Sequence, residues 1–371
     1  MKKWIATLSL LTLTLTVSSA QKTFDVGIVY SNSIKNDSAF NQRTFEGVQR
    51  ASSDFGNGIK EFIPKDPTQI ETGVRKMVKD GVQLIVGVGF NLESAITTVA
   101  KESPNTRFVV IDAVPTGSNT VGLVSREQEG SYLVGFIAGR SSSTGVVGFV
   151  GGMDIPLIHK FEAGYKAGVL RACPSCKVVA AYVGTTPSAW DNPAKGKELA
   201  AQHVAAGADI IYAPAGTSGN GALEYIKSKL CVNATELPRG LRFNSTYLAK
   251  NIAKPAGYSS KCQSNSRPLF FIGVDSNQNY LGDTDKNPKT LNFVLTSMEK
   301  RVGTTVYAII GDYSKGVKWQ SGAREFGIKE FGVGYAVDQY NQNLISPNLI
   351  GNIAQIKQMI LTGKIKVPAT R

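Results

Sequence analysis

The chain has 371 residues, 42% hydrophobic and 19% charged, enough for a packed core and about two domains. That balance excludes a largely disordered protein. Net charge is +13 at pH 7, and +11 without Lys2 and Lys3. The basic residues are scattered rather than clustered, which suits a solvated surface drawn to an anionic envelope and argues against a nucleic-acid binder.

Lys2 and Lys3, the apolar "WIATLSLLTLTLTV" and the small "SSA" before Gln21 read as a secretory signal peptide over residues 1–20. A membrane anchor is the alternative, but the run is short for a span and rich in Thr. Cleavage near Ala20–Gln21 leaves no lipobox Cys and no later spanning segment. The expectation is therefore a soluble, exported protein of the periplasm or cell envelope.

Apolar runs then alternate with helical patterns. "FDVGIVY" is a strand, "AFNQRTFEGVQRASSDF" a helix, "QLIVGVG" a strand and "LESAITTVAKES" a helix. "RFVVIDA" and "NTVGLVS" are strands, and "EQEGSYLVGFIAGRSS" is a helix rich in small residues. The rhythm restarts with strands "GVVGFVGG", "KVVAAYVG", "DIIYAPA" and "PLFFIGVD" between helices "HKFEAGYKAGVLRAC", "NPAKGKELAAQHVAAG" and "GALEYIKSKL". This is the signature of parallel α/β sheets with helices on both faces, in two successive units. Residues 231–267 interrupt it with a polar, turn-rich segment that reads as a surface insertion.

The four cysteines fit an exported chain, most simply as Cys173–Cys176 in "CPSC" and Cys231–Cys262 closing the insertion. A zinc site at "CPSC" is the alternative, but no His or second CxxC accompanies it. A redox CxxC opens a helix after a strand, whereas this one precedes a strand, so a structural bridge is favoured.

Enzyme signatures are absent: no Walker A, G-x-S-x-G, H-E-x-x-H or G-x-G-x-x-G occurs. His159 and His203 read as surface or structural, and no His, Cys and carboxylate cluster has metal spacing. No catalytic residue, metal or cofactor is expected. What remains are polar and aromatic residues at the carboxyl ends of expected strands, where open α/β sheets bind ligands. They are Ser31, Phe40, Asn41, Asp112, Trp190, Gly216, Thr217, Ser218 and Asp275. Each has a bland alternative, the Asp residues as helix caps and Phe40 or Trp190 as core; their shared location favours one crevice.

The blocks "DSAFNQRTFEG", "GSYLVGFIAG", "GVVGFVGGMDIPLIHKFEAGYKAGV", "WDNPAKGKELA", "FFIGVDSNQ" and "LTSMEK" resemble the basic membrane protein family of substrate-binding proteins, which includes purine nucleoside receptors of ABC transporters. The likeness runs from about Phe24 to the C-terminus and breaks mainly at the insertion. It implies a type I periplasmic-binding fold, α/β, with two lobes closing on a ligand. It places lobe 1 at 21–140 plus about 274–305 and lobe 2 at 141–273 plus about 306–371, with crossings near "GVDSNQ" and after "LTSMEK". It implies that Phe40 and Trp190 sandwich a base, that Asn41 and Asp112 face its edge, and that Asp275 and Lys300 contact the ribose. Gln42 reads as structural.

The family commonly has an Asp where this chain has Ser31, which weakens that contact. The implied function is a monomeric receptor handing a purine nucleoside (guanosine, inosine or adenosine) to ABC permease subunits, its only link to the membrane. Alternatives are another flat heterocycle such as a flavin, or a nucleoside-acting enzyme, which would need an activated water.

Overall fold

The computed structural model describes residues 24–31 and 35–371, so the signal-peptide reading of residues 1–20 lies outside the described residues. The first lobe begins with β1 (Asp25–Tyr30), α1 (Phe40–Phe55), β2 (Gly58–Phe62), α2 (Ile70–Lys79), β3 (Leu84–Val88), α3 (Glu93–Glu102), β4 (Arg107–Ile111) and β5 (Thr120–Ser125). The chain then crosses to the second lobe for α4 (Glu127–Ser141), β6 (Val146–Met153), α5 (Pro156–Ala172), β7 (Lys177–Gly184), α6 (Pro193–Ala205), β8 (Ile210–Tyr212) and α7 (Thr217–Lys229). The second lobe continues through β9 (Cys231–Asn233), α8 (Tyr258–Lys261), β10 (Ser266–Pro268), β11 (Phe270–Gly273) and β12 (Val294–Lys300). The first lobe is completed by α9 (Val302–Ser314) and β13 (Gly322–Phe326), and the second by β14 (Val333–Tyr335) and α10 (Pro347–Leu361).

Each lobe carries a six-stranded sheet, ordered β13-β5-β4-β3-β1-β2 and β14-β12-β11-β8-β6-β7. The first is all parallel; in the second only β14 runs antiparallel, against β12. The central strands are buried on both faces, as their unbroken Val and Ile runs require.

This topology corrects the expected lobe boundaries. β12 pairs in parallel with β11, so the chain does not cross near "GVDSNQ"; residues 274–300 stay in the second lobe. Helix α4 belongs to the second lobe's core, so the first crossing lies at Arg126 rather than near residue 140. Helix α9 packs its Val302, Val306 and Ile310 into the first lobe's core, and β13 pairs with β5, so 306–326 belongs to lobe 1. The three crossings are stitched together: Arg126 N–H donates to Phe326 O at 3.0 Å and Arg301 N–H to Gly332 O at 2.8 Å.

The small-residue helix has a packing reason. A Cβ at Gly135 or Gly168 would strike the carbonyl of Tyr165 or Tyr132, so α4 and α5 cross with backbones nearly touching. Both disulfides form, Cys173–Cys176 between α5 and β7 and Cys231–Cys262 across the insertion. The insertion is better anchored than its polarity suggested. Ala249 and Tyr258 are buried, and Asn244 donates to Ser142 O at 3.0 Å through its amide and to Ser143 O at 2.7 Å through its backbone. Among the described residues, no helix is long and apolar enough to cross a membrane.

Candidate functional site

Parallel strands point their carboxyl ends the same way, and here both sheets aim them at one cavity of about 400 Å³. Ser31, Phe40, Asn41, Asp112, Trp190, Gly216, Thr217, Asp275 and Lys300 all line it, with Phe90 and Phe161 adding a third and a fourth ring. Ser218, by contrast, sits buried behind the wall. Lobe 1 contributes Ser31, Phe40, Asn41, Phe90 and Asp112, and lobe 2 contributes Phe161, Trp190, Gly216, Thr217, Asp275 and Lys300.

On the first lobe, Phe40 opens α1. Asp37 is the residue that makes this possible: its carboxylate accepts from the N–H groups of Ala39 at 2.9 Å, Asn41 at 2.9 Å and Gln42 at 3.2 Å. A carboxylate there also complements the helix dipole. Asn41 is buried, and Gln42 turns away to bond Glu46 at 3.0 Å, the structural role expected of it. Ser31 follows β1 with its carbonyl held by Asn91 Nδ2 at 3.3 Å.

On the second lobe, Trp190 ends a short 3-10 turn and lies against Gly152, where any Cβ would collide with the indole. Thr217 and Ser218 build its seat. Ser218 Oγ donates to Ala189 O at 2.8 Å, and Thr217 Oγ1 lies 2.8 Å from Trp190 O and 2.7 Å from Asp191 Oδ1. The single hydroxyl proton of Thr217 is thus committed to the Trp190 loop, which makes Thr217 a support for the aromatic wall. Gly216, at φ 58°, occupies the left-handed region that favours glycine.

Neither Asp112 nor Asp275 caps a helix. Both sit just past strand ends with φ of 73° and 65°, a strained backbone worth roughly 1–2 kcal/mol for a non-glycine residue. The Asp275 loop is braced by its own motif. Gln278 Oε1 accepts from Val274 N–H at 3.0 Å, Asn277 donates to Asp338 at 2.7 Å, and Ser276 Oγ donates across the lobes to Ser38 O at 2.8 Å.

The charged groups pair across the lobes. Lys300 reaches Asp112 Oδ1 at 2.5 Å and Glu127 Oε1 at 3.1 Å, so the lobe-2 ammonium bridges to a lobe-1 carboxylate. Asp275 instead accepts no hydrogen bond at its carboxylate from another described residue, while its backbone carbonyl receives the Lys300 N–H at 3.1 Å. Three carboxylates thus face one ammonium. Burial pushes Asp275 up to about 7, with Lys300 opposing and Asp112, Asp37 and Glu127 adding to the rise. Burial likewise raises Asp112 against the pull of Lys300. For Lys300 burial works downward, but Asp112, Glu127 and Asp275 outweigh it and hold the ammonium above the ordinary lysine range.

Glu127 and the capping role of Asp37 escaped sequence reasoning. Asp37 stands two residues before the cap position, and Glu127 sits in a helix start that reads as ordinary first-turn acid. Rings, carboxylates and the ammonium groups of Lys65 and Lys300 around a cavity of this size suit a flat ligand carrying hydroxyl and N–H donors. His203 is buried with Nε2 3.0 Å from Phe149 O, and His159 Nε2 lies 2.6 Å from Asp154; neither lines the cavity. No cluster of His, Cys, Asp and Glu among the described residues could hold a metal.

The fold recurs in solved structures. An ABC transporter solute-binding protein from Aeropyrum pernix K1 superposes with a TM-score of 0.73 over 93% of this chain and 94% of its own, at 24% identity. The arabinose ABC transporter's periplasmic binding protein from Shewanella sp. ANA-3 does so at 0.54, over 93% and 99%, at 15% identity. In sequence, the chain is 31% identical over 90% of its length to the ABC transporter nucleoside-binding protein BmpA of Lactococcus lactis subsp. cremoris, covering 86% of that protein. It is 27% identical over 90% of its length to basic membrane protein A1 of Borrelia garinii subsp. bavariensis, covering 85% of it. The family model Bmp, described as ABC transporter substrate-binding protein PnrA-like, matches residues 24–232. The chain belongs to this Bmp family of ABC transporter substrate-binding proteins, which are ligand carriers and not enzymes.

Proposed function

We propose that this protein is an exported, monomeric receptor that captures a purine nucleoside and delivers it to an ABC permease. The observation that supports it most is the composition of the cavity at the strand ends: Phe40 and Trp190 come from different lobes, with Asn41, Asp112, Asp275 and Lys300 beside them. The Lactococcus relative's name, a nucleoside-binding protein, agrees with that reading.

Stacking of a base on aromatic rings contributes roughly 1–3 kcal/mol and tolerates any base. Selectivity then rests on Asn41 and Asp112, since a carboxylate accepting from ring N–H groups favours guanine or hypoxanthine. Asp275 accepts from ribose hydroxyls. A ligand touching both lobes favours closure only by its greater affinity for the closed form.

Mass spectrometry of small molecules released from denatured, freshly purified protein tests this directly. Guanosine, inosine or adenosine is the expected result. A flavin or another non-nucleoside compound overturns the nucleoside reading while leaving the receptor fold intact.

A further inference from the structure

Glu127 is fully buried at the start of α4, and it is absent from the cavity wall. Its Oε1 lies 3.1 Å from Lys300 Nζ and its Oε2 lies 3.5 Å from Lys160 Nζ. Lys300 is 2% exposed, and its other partner, Asp112, is 2.5 Å away.

The two carboxylates differ in one decisive respect. Asp112 follows β4 in lobe 1, whereas Glu127 and Lys300 both stand in lobe 2. They flank two of the three crossings, each one residue from the hinge positions Arg126 and Arg301. Parting of the lobes separates Lys300 from Asp112 and leaves Lys300 beside Glu127. A buried ammonium stripped of every partner would be heavily penalised, and its long side chain would swing toward solvent.

We propose that Glu127 is the positioning residue of the binding cavity: it keeps the Lys300 ammonium at the cavity floor while Asp112 comes and goes with the other lobe. Glu127 touches no ligand and acts through Lys300. Only the choice of probe below rests on the nucleoside reading.

The charged and titratable groups packed around it are Lys300 on β12, Lys160 on α5, Asp112 after β4, Asp275 after β11 and Tyr212 on β8. On α4 itself, Glu129 is turned to Ile328 N–H at 2.8 Å. Glu127 adds to the negative field that raises Asp275. Its neutralisation should therefore be read at Asp275, a change that loss of mere packing would not produce.

The test compares wild type with Glu127→Gln by guanosine calorimetry across neutrality, and by carboxyl-carbon NMR titration of Asp275 in ligand-free protein. The expected result is guanosine affinity lower by about tenfold or more at alkaline pH, with the Asp275 midpoint moved to lower pH. Affinity within about twofold of wild type, or an unmoved midpoint, overturns the proposal. Should Glu127→Gln fail to fold, Glu127→Asp decides: the shortened side chain keeps its charge but draws back from Lys300, so guanosine affinity should still fall about tenfold, and affinity within about twofold of wild type overturns the proposal. Should wild type take none of guanosine, inosine and adenosine, the nucleoside reading fails, and the ligand-free titration alone decides the role of Glu127.

Discussion

Asp209 and Asp275 are both carboxylates of the second lobe, the first buried and the second half-buried, and desolvation pushes both upward, to about 6 and about 7. Their surroundings differ. Asp209 precedes β8 at the end of the sheet away from the cavity, and its oxygens are fully used: Ser142 Oγ donates at 2.7 Å, Ser143 N–H at 2.5 Å and Thr144 N–H at 3.2 Å. Those same serines carry the insertion through Asn244. Asp275 stands at the opposite ends of the strands, on a strained backbone, with its carboxylate turned to an open cavity. A buried acid whose acceptors are filled is architecture. One held in place by a braced loop and left facing space is recognition.

Asp209→Ala should break the comparison on the stability side. It orphans a hydroxyl and two N–H groups together, so unfolding free energy should drop by about 3 kcal/mol, while ligand affinity stays unchanged. Denaturant titration and calorimetry on the same sample measure both. A large affinity loss with unchanged stability would reverse the assignment.

Asp275→Ala and Trp190→Ala should do the opposite. Each should weaken nucleoside binding at least tenfold, about 1.4 kcal/mol or more, with a small change in melting temperature. Unchanged affinity in both variants would remove these residues from the site.

Titration separates the two acids further. An ionised carboxylate accepts from hydroxyls more strongly than a protonated one, so nucleoside affinity should fall as pH drops through about 7, the Asp275 value. Stability follows the other sign. Asp209 holds its proton more tightly folded than unfolded, so its contribution is complete below the ordinary carboxylate range and is lost as pH rises toward about 6. Affinity and stability measured over the same pH range should therefore move in opposite directions. Parallel curves would mean that one acid governs both.

Much of this contrast was legible beforehand, for physical reasons. Val- and Ile-rich runs announce buried parallel strands, and the motif "FFIGVDSNQ" carries the side chains that brace Asp275. The edge and crossing elements were not legible. β2 is half-exposed "GIKEF" and β13 is "GAREF", whose charges hide any apolar period. Their membership depends on long-range pairing with β1 and β5, and the lobe boundaries went astray with them. Local sequence also could not show that Lys300 bridges Asp112 and Glu127, because those residues meet only when strand ends from both lobes converge. The same limit hid Glu127, which looks like any acid in a first helical turn.

The smallest effect is expected at Ser31, and it tests how far the charged acceptors dominate the cavity. Ser31 Oγ is short and neutral, and Gly89 packs closely against it. A neutral hydrogen bond contributes about 0.5–1.5 kcal/mol against roughly twice that for a charged acceptor. Ser31→Ala should therefore weaken nucleoside binding by no more than about fivefold, less than Asp275→Ala or Trp190→Ala. Ser31→Asp adds a further negative group to a cavity already lined by Asp37, Asp66, Asp112 and Asp275 beside Lys65 and Lys300. Its acid limb of binding should move to higher pH, because the added charge raises Asp275 further. If Ser31→Ala proves as damaging as Asp275→Ala, the hydroxyl is a principal ligand contact, and charge alone does not rank the residues of this cavity.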